Sequence, residues 1–349
     1  MPEALQPLLA GVPHGGPGRG PFTGTDFSVN TNPFGPNPEL LRAVRDADHA
    51  HYPDPSYAAL RARLAAWHGL TAAGVVPSVG ASELLHRVAR AYLRPGDRVL
   101  SVLSPFGEFG RAAALCAAHV TVTDAAQEVG TGQAAGAVTP GTRLVYLGHP
   151  HNPTGRALPP GEVAALQAAC RRADALLIVD AAYAPFVDLP LPAPDDHTLL
   201  LHSPGKAHGL VGARPAYAVA GTGVAAALQN LAPAWALPAG TAALLQALPD
   251  AQAHLHATLP RVAALARVLA RDLARLGEVE HHGTPYMTLR VPDAAGVTAA
   301  LLDRGLKVRD CTSYGAPHHV RVSARGADEN AALVSALAVV LAGATSGQP

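Results

Sequence analysis

The sequence predicts an α/β protein in which a mostly parallel sheet covered by helices is followed by a smaller α+β domain. Three observations carry this expectation. Six short apolar runs are buried in character: RVLSVL (98 to 103), VTVTD (120 to 124), RLVYLG (143 to 148), ALLIVD (175 to 180), TLLLH (198 to 202) and YAVAG (217 to 221). Between several of them lie Ala-rich helical stretches such as EFGRAAALCAAH and PGEVAALQAACRRA, the alternation that parallel strands need for their crossovers. Past residue 240 the pattern changes to a long helix through LPRVAALARVLARDLARLG, then strand, strand, helix, strand, strand and a closing helix through DENAALVSALAVVLAG.

From the N-terminus onward, PHGGPGRGPFTG is rich in Gly and Pro and reads as an irregular arm. Residues 1–45 are expected to form this arm and part of the small domain, 46–240 the large ligand-binding domain, and 241–349 the small C-terminal domain. A length of 349 residues suits about two domains, and 49% hydrophobic residues can fill a sizeable interior. The 26 Lys+Arg balance 26 Asp+Glu without a basic block, so no nucleic-acid partner is expected. Apolar stretches are interrupted by Arg, Asp, Gly or Pro well short of a membrane span, and the first twenty residues lack a basic start followed by an apolar segment. A cytoplasmic protein with no membrane partner is the expectation. Cys116, Cys170 and Cys311 are odd in number and far apart, which suits reduced thiols. The pairs His281-His282 and His318-His319 point their neighbours apart and lack metal-ligand spacing, so no metal is expected.

Chemistry concentrates at the strand ends. Open parallel sheets bind ligands at the carboxyl ends of their strands. Asp180 ends ALLIVD, Asn152 follows RLVYLG, Phe106 follows SVLSP and Lys206 follows TLLLH, so one cleft can collect all four. Gly80, Ala81 and Ser82 open the helical stretch ASELLHRVARAYL, where small residues let a phosphate approach backbone N–H groups. Tyr183 follows Asp180 by three residues and Arg214 follows Lys206 by eight. Singly, these are a solvated lysine, a turn aspartate and a helix cap. Together they read as a pyridoxal 5'-phosphate site: a lysine amine for the aldehyde, an aspartate to keep the pyridine nitrogen protonated, and an arginine for the phosphate.

These residues carry a resemblance that runs nearly from end to end. Through DFSVNTNPFGPNP, YPDPSY, SPFGEFGRA, HPHNPTG, VDAAYAPF, HSPGKAHGLVGAR and GLKVRDCTSYGAPHHVRVSAR, the chain resembles the fold-type I pyridoxal phosphate enzymes of the class I/II aminotransferase family. Within it, the similarity is to the branch of histidinol-phosphate aminotransferases and threonine-phosphate decarboxylases. The resemblance implies that Lys206 is the Schiff-base lysine and that Asp180 partners the pyridine nitrogen. Asn152 and Tyr183 would contact the phenolic oxygen, with Tyr183 counted beside Lys206 and Asp180 as catalytic, and Phe106 would stack on the ring. Ala81, Ser82, Ser203 and Arg214 would hold the phosphate, joined by Tyr52 from the second subunit of a homodimer. For the substrate, it implies Arg321 on a carboxylate, Arg309 and His14 on a distal phosphate, and Asn32 in a nearby loop. Departures from the family pattern are Gly205 where a hydroxyl residue is usual, Val79 before Gly80 where Asn is common, Phe106 for Tyr, and Ala181 where Glu is frequent.

Two reactions remain open on this reading. PHGG, with His14, and the segments DFSVNTNPFGP, PFGEFGRA and VRDCTSYG are closer to the decarboxylases, so threonine-phosphate decarboxylation, a step toward the cobalamin side chain, is the first expectation. Pro17-Gly18-Arg19 is similar to the arm of the aminotransferases, and a histidinol-phosphate or related aminotransferase using 2-oxoglutarate and glutamate is the alternative. A ligand-sensing regulator built on this fold would need a DNA-binding segment, and no basic helix-turn-helix stretch precedes residue 30.

Overall fold

The computed structural model describes residues 8–12, 22–123 and 133–346, without the side chains of 344–346. Its strands, in chain order, are β1 (Thr25–Asp26), β2 (Val75–Ser78), β3 (Arg98–Val102), β4 (His119–Thr123), β5 (Thr142–Gly148), β6 (Leu176–Asp180), β7 (Thr198–His202), β8 (Ala216–Val219), β9 (Val279–Glu280), β10 (Tyr286–Arg290), β11 (Leu306–Lys307), β12 (Arg309–Asp310) and β13 (His319–Ser323).

Seven of them form one sheet in the order β2-β8-β7-β6-β5-β3-β4. The strands β3 to β7 run parallel to their neighbours, and β8 runs antiparallel to both β7 and β2. All six apolar runs predicted as strands lie in this sheet. The short β2 escapes sequence reading because Pro77 interrupts its apolar run. Pro is tolerated there because β2 is an edge strand with β8 as its sole partner in the sheet.

Period-two alternation divides the interior. Leu177 and Val179 of β6 enter one buried cluster with Leu60, Leu64 and Leu166, while Leu176 and Ile178 enter another with Leu84, Leu85 and Phe109. Covering both faces explains why β5, β6 and β7 read as largely apolar runs, whereas β4, expected to be buried, is an edge strand with Val and Thr alternating and no buried residue. Leu40, Leu244, Leu245 and Leu248 also belong to the first cluster, so the segments at both expected boundaries pack against the larger sheet.

The smaller sheet is antiparallel, in the order β12-β13-β10-β9. The helices Gln252–Leu273, Ala294–Leu302 and Ala327–Ser346 cover it through Leu269, Leu273, Val297, Leu301, Leu333 and Leu337. The element order past 240 is as expected, with one refinement: the third strand is split into β11 and β12. The first half pairs in parallel with β1, and Phe27 is fully buried in the same cluster, so the N-terminal segment completes the smaller body. Among the described residues no helix is long and apolar enough to cross a membrane. The three cysteines are free, and burial pushes the Cys170 thiol up to about 12.

Candidate active site

Parallel pairing brings the carboxyl ends of β3, β5, β6 and β7 to one edge, with Gly148 opposite Asp180. Because β8 is antiparallel, its amino end reaches that same edge and delivers Arg214 there. The edge strand β2 leads from it into the helix Ala81–Tyr92. A partly open cavity results at this edge. Ala81, Ser82, Phe106, Asn152, Asp180, Tyr183, Ser203, Lys206 and Arg214 all line it.

At one end, the helix Ala81–Tyr92 presents its N-terminus without a side-chain cap. Gly80 precedes it at φ +110, and a Cβ there would lie 2.5 Å from Arg214 Nη2. Only glycine both adopts this conformation readily and leaves room for the guanidinium. Backbone N–H groups, the Ser82 and Ser203 hydroxyls and Arg214 form a donor set suited to a phosphate. Gly205 has a local reason as well: a Cβ there would stand 3.0 Å from Leu210 O and 3.1 Å from Pro215 Cγ, so the lysine loop is fitted to glycine.

At the other end, Asp180 Oδ2 accepts a hydrogen bond from Tyr146 Oη at 2.7 Å, and Oδ1 accepts from the Ala182 N–H at 3.1 Å. Burial pushes this carboxyl above its ordinary range, against the two hydrogen bonds and the charge of Lys206. Lys206 Nζ lies 5.2 Å from the centroid of the Tyr183 ring, and the Tyr183 hydroxyl oxygen accepts from Asn30 Nδ2 at 3.3 Å.

Sequence reasoning overlooked Ser104, Tyr146, Pro150 and His151, which also line the cavity. Tyr146 was read as one more apolar residue of RLVYLG. A usable signal was its place two residues before Gly148, which puts it diagonal to Asp180 on the same sheet face. His151 Nε2 lies 2.9 Å from Ser104 O and must donate there, so Nδ1 accepts from Thr154 Oγ1 at 2.8 Å. Burial lowers its pKa to about 4, which keeps the ring neutral near pH 7.

The two substrate-binding candidates of the smaller sheet are direct cross-strand partners: Arg309 of β12 stands opposite Arg321 of β13. Both are buried, at 8% and 4% exposure. Arg321 donates to Asn152 Oδ1 and to Ser28 O, which joins the smaller sheet to the cavity wall. Arg309 donates to Ser313 Oγ at 2.6 Å beside the Tyr314 ring, while Asp310 accepts from the Thr312 N–H. Like charges directly across a ladder repel, so an anion is the natural complement of this pair.

Neither arginine lines the cavity itself, Arg321 reaching it through Asn152, and three further expected residues stand differently. Asn32 does not line the cavity: its Nδ2 donates to Ala207 O and Thr258 Oγ1, and its Oδ1 accepts from the Phe34 N–H. Its own N–H donates to Lys206 O, so this 3% exposed amide ties the lysine segment to the N-terminal loop and the long helix, in place of the expected substrate contact. Tyr52 is 80% exposed and stacks on Trp235 at 4.7 Å, away from its own chain's cavity. His14 lies outside the described residues.

Comparison with known proteins places this geometry. The model of the family "Aminotransferase class I and II" matches residues 23–337. Histidinol-phosphate aminotransferase 1 of Thiobacillus denitrificans is 34% identical over 337 residues, covering 93% of this chain and 87% of that protein. A crystal structure of histidinol-phosphate aminotransferase from Sinorhizobium meliloti, in complex with pyridoxal-5'-phosphate, superposes with a TM-score of 0.82 at 24% identity over 90% of each chain. L-threonine-O-3-phosphate decarboxylase from Porphyromonas gingivalis superposes with a TM-score of 0.81 at 20% identity, covering 90% of this chain and 99% of that one.

Proposed function

Because the chain belongs to the family of class I and II aminotransferases, we infer that it is a pyridoxal 5'-phosphate-dependent aminotransferase acting on a phosphorylated amine, with histidinol phosphate and 2-oxoglutarate as the leading substrate pair. The bound cofactor supplies an electron sink for the pair released at the substrate α carbon. In this reading Lys206 Nζ carries the cofactor and moves the α proton as general base and acid. Asp180 would hold the ring nitrogen protonated, Phe106 would cover a ring face, and Asn152 and Tyr183 would bond the phenolic oxygen. The helix N-terminus at Ala81 and Ser82, with Ser203 and Arg214, holds the phosphate.

The initial preference for decarboxylation gives way here. The sequence relative at 34% identity bears the aminotransferase name, whereas the decarboxylase is met as a structural neighbour at 20% identity, which speaks for the fold alone. No support is left for cobalamin synthesis beyond that likeness of fold.

The observation that carries the substrate class is the buried, directly opposed pair Arg309 and Arg321 beside Asn152. Arg321 can grip the carboxylate of glutamate, and Arg309 can add a second cation for a phosphate. The decisive assay offers the purified protein histidinol phosphate with 2-oxoglutarate, and threonine phosphate separately, while glutamate and carbon dioxide are measured. Glutamate from the first and no carbon dioxide from the second is the expected result; the reverse removes the aminotransferase reading. Arg309→Ala should lose roughly ten- to a hundredfold in kcat/KM for the phosphorylated amine, and much less for its unphosphorylated analogue. Arg321→Ala should impair every amino-acid donor. Equal losses with and without the substrate phosphate in Arg309→Ala would refute its role.

A homodimer with shared sites is part of the proposal. The exposed Tyr52–Trp235 pair and a second hollow at Arg214, bordered by Val44, His49 and Gly240, support it. Mixing inactive Lys206→Ala chains with impaired Tyr52→Ala chains should raise turnover above that of either alone, because one site of the heterodimer then has Lys206 from one chain and Tyr52 from the other. Verified subunit exchange without recovery counts against sharing. We also propose that the division between the two bodies follows their cores, the larger taking in Leu40 and the segment through Leu248.

A further inference from the structure

We propose that Tyr146 is a positioning residue that holds Asp180 ionised and aimed at the pyridine nitrogen of the cofactor. The proposal rests on the pyridoxal phosphate reading and adds to it a cavity residue beyond the nine expected cofactor contacts.

The geometry leaves the phenol one role. Tyr146 is 3% exposed, and its ring stacks on Phe109 with centroids 4.6 Å apart and planes 21° apart, so the side chain has one available orientation. The backbone N–H of Phe106 bonds to its hydroxyl oxygen, and the single hydroxyl proton goes to Asp180 Oδ2 at 2.7 Å. A phenol has one proton to give. Tyr146 therefore links the segment that carries the ring-covering Phe106 to the carboxylate expected under the ring nitrogen.

The charge argument agrees with the geometry. Four groups act on Asp180: Tyr146 from β5, the Ala182 N–H from its own loop, Lys206 from the lysine segment, and Tyr286 from the smaller sheet at longer range. Burial raises the carboxyl, and the phenol's bond is the first of the effects that oppose it. Burial and the charge of Asp180 keep the phenol itself well above its ordinary value, so it remains a donor at any working pH. Without that donor the buried carboxylate loses a charge-assisted hydrogen bond.

The test uses holoenzyme reconstituted with cofactor labelled with ¹⁵N in the ring. The nitrogen resonance of the unmutated protein should lie in the protonated range at neutral pH, and Asp180→Ala provides the unprotonated reference. Tyr146→Phe keeps the ring stack and should move the resonance toward that reference, or cause it to titrate at lower pH. Phe109→Leu removes the stack, keeps the hydroxyl and should leave the resonance in place. In Tyr146→Phe, kcat should fall roughly ten- to a hundredfold with KM within about twofold. A Tyr146→Phe resonance identical to that of the unmutated protein across pH overturns the proposal, even if activity is lost. In the unmutated holoenzyme the same bond should appear as a far-downfield hydroxyl proton that Asp180→Asn displaces; its absence is an independent refutation that needs no Tyr146 variant. Failure of the unmutated chain to bind the cofactor at all refutes the pyridoxal phosphate reading itself, a result distinct from a silent Tyr146.

Discussion

Lys206→Ala is expected to fold, to lack the visible absorption of bound cofactor, and to lose turnover by roughly 10⁴-fold or more, because in the proposed mechanism one amine both carries the cofactor and moves the α proton. The chain makes this result unusually easy to assign. Its sequence contains two lysines, Lys206 and Lys307. Lys307 lies on β11, paired with Asp26 of β1, with its ammonium 5.9 Å from the Phe22 ring, and it does not line the cavity. Borohydride reduction followed by peptide mapping therefore distinguishes two candidates. A reduced adduct on Lys307, or none in the unmutated protein, would sink the assignment. Stability should change little, since Lys206 forms no salt bridge among the described residues and its backbone bonds to Asn32 and Ser203 survive truncation of the side chain.

Asp180→Ala should keep some cofactor and lose kcat on the order of a hundred- to a thousandfold, because it removes the charge that maintains the protonated ring nitrogen. Near-normal turnover would remove Asp180 from the mechanism. The same variant carries a stability signature. Burial raises the carboxyl pKa in the folded chain, so the folded state binds more protons than the unfolded state between the unfolded and folded values. The contribution of Asp180 to the stability of the cofactor-free protein is then greatest at or below the unfolded value. It falls as pH rises toward the folded pKa, above which the buried charge is fully present. At neutral pH the cofactor-free Asp180→Ala protein should accordingly melt no lower than its parent, and cofactor should raise the Tm of the parent by more. Thermal melts of both proteins, with and without cofactor, check this. A marked drop in Tm for the cofactor-free variant would mean that Asp180 is chiefly structural.

Much of the large body could be read directly from the sequence because its signals are local. Leu176 to Val179 is apolar throughout because both faces of β6 are covered, and an apolar run that ends in Asp at the carboxyl edge of a parallel sheet announces a cavity-facing residue. Lys206, Phe106 and Asn152 were found the same way, each one loop beyond a strand. Asn32 misled for a related reason. An Asn before Pro in a motif adjacent to the site looks the same whether its amide meets a substrate or, as here, ties Ala207 to Thr258.

The amino-acid sequence by itself determined which segments become strands, which strand ends carry polar side chains, and the small residues that open the helix at Ala81. Each of these depends on period, composition or conformational freedom within a few residues. Tertiary structure alone decided that β8 turns back so that Arg214 meets the helix at Ala81, that Arg309 stands opposite Arg321, and that the Tyr146 hydroxyl closes on Asp180. These are matters of strand order and register between residues up to 133 positions apart. The free energy that selects one register is spread over whole buried faces, so no single stretch of sequence records it.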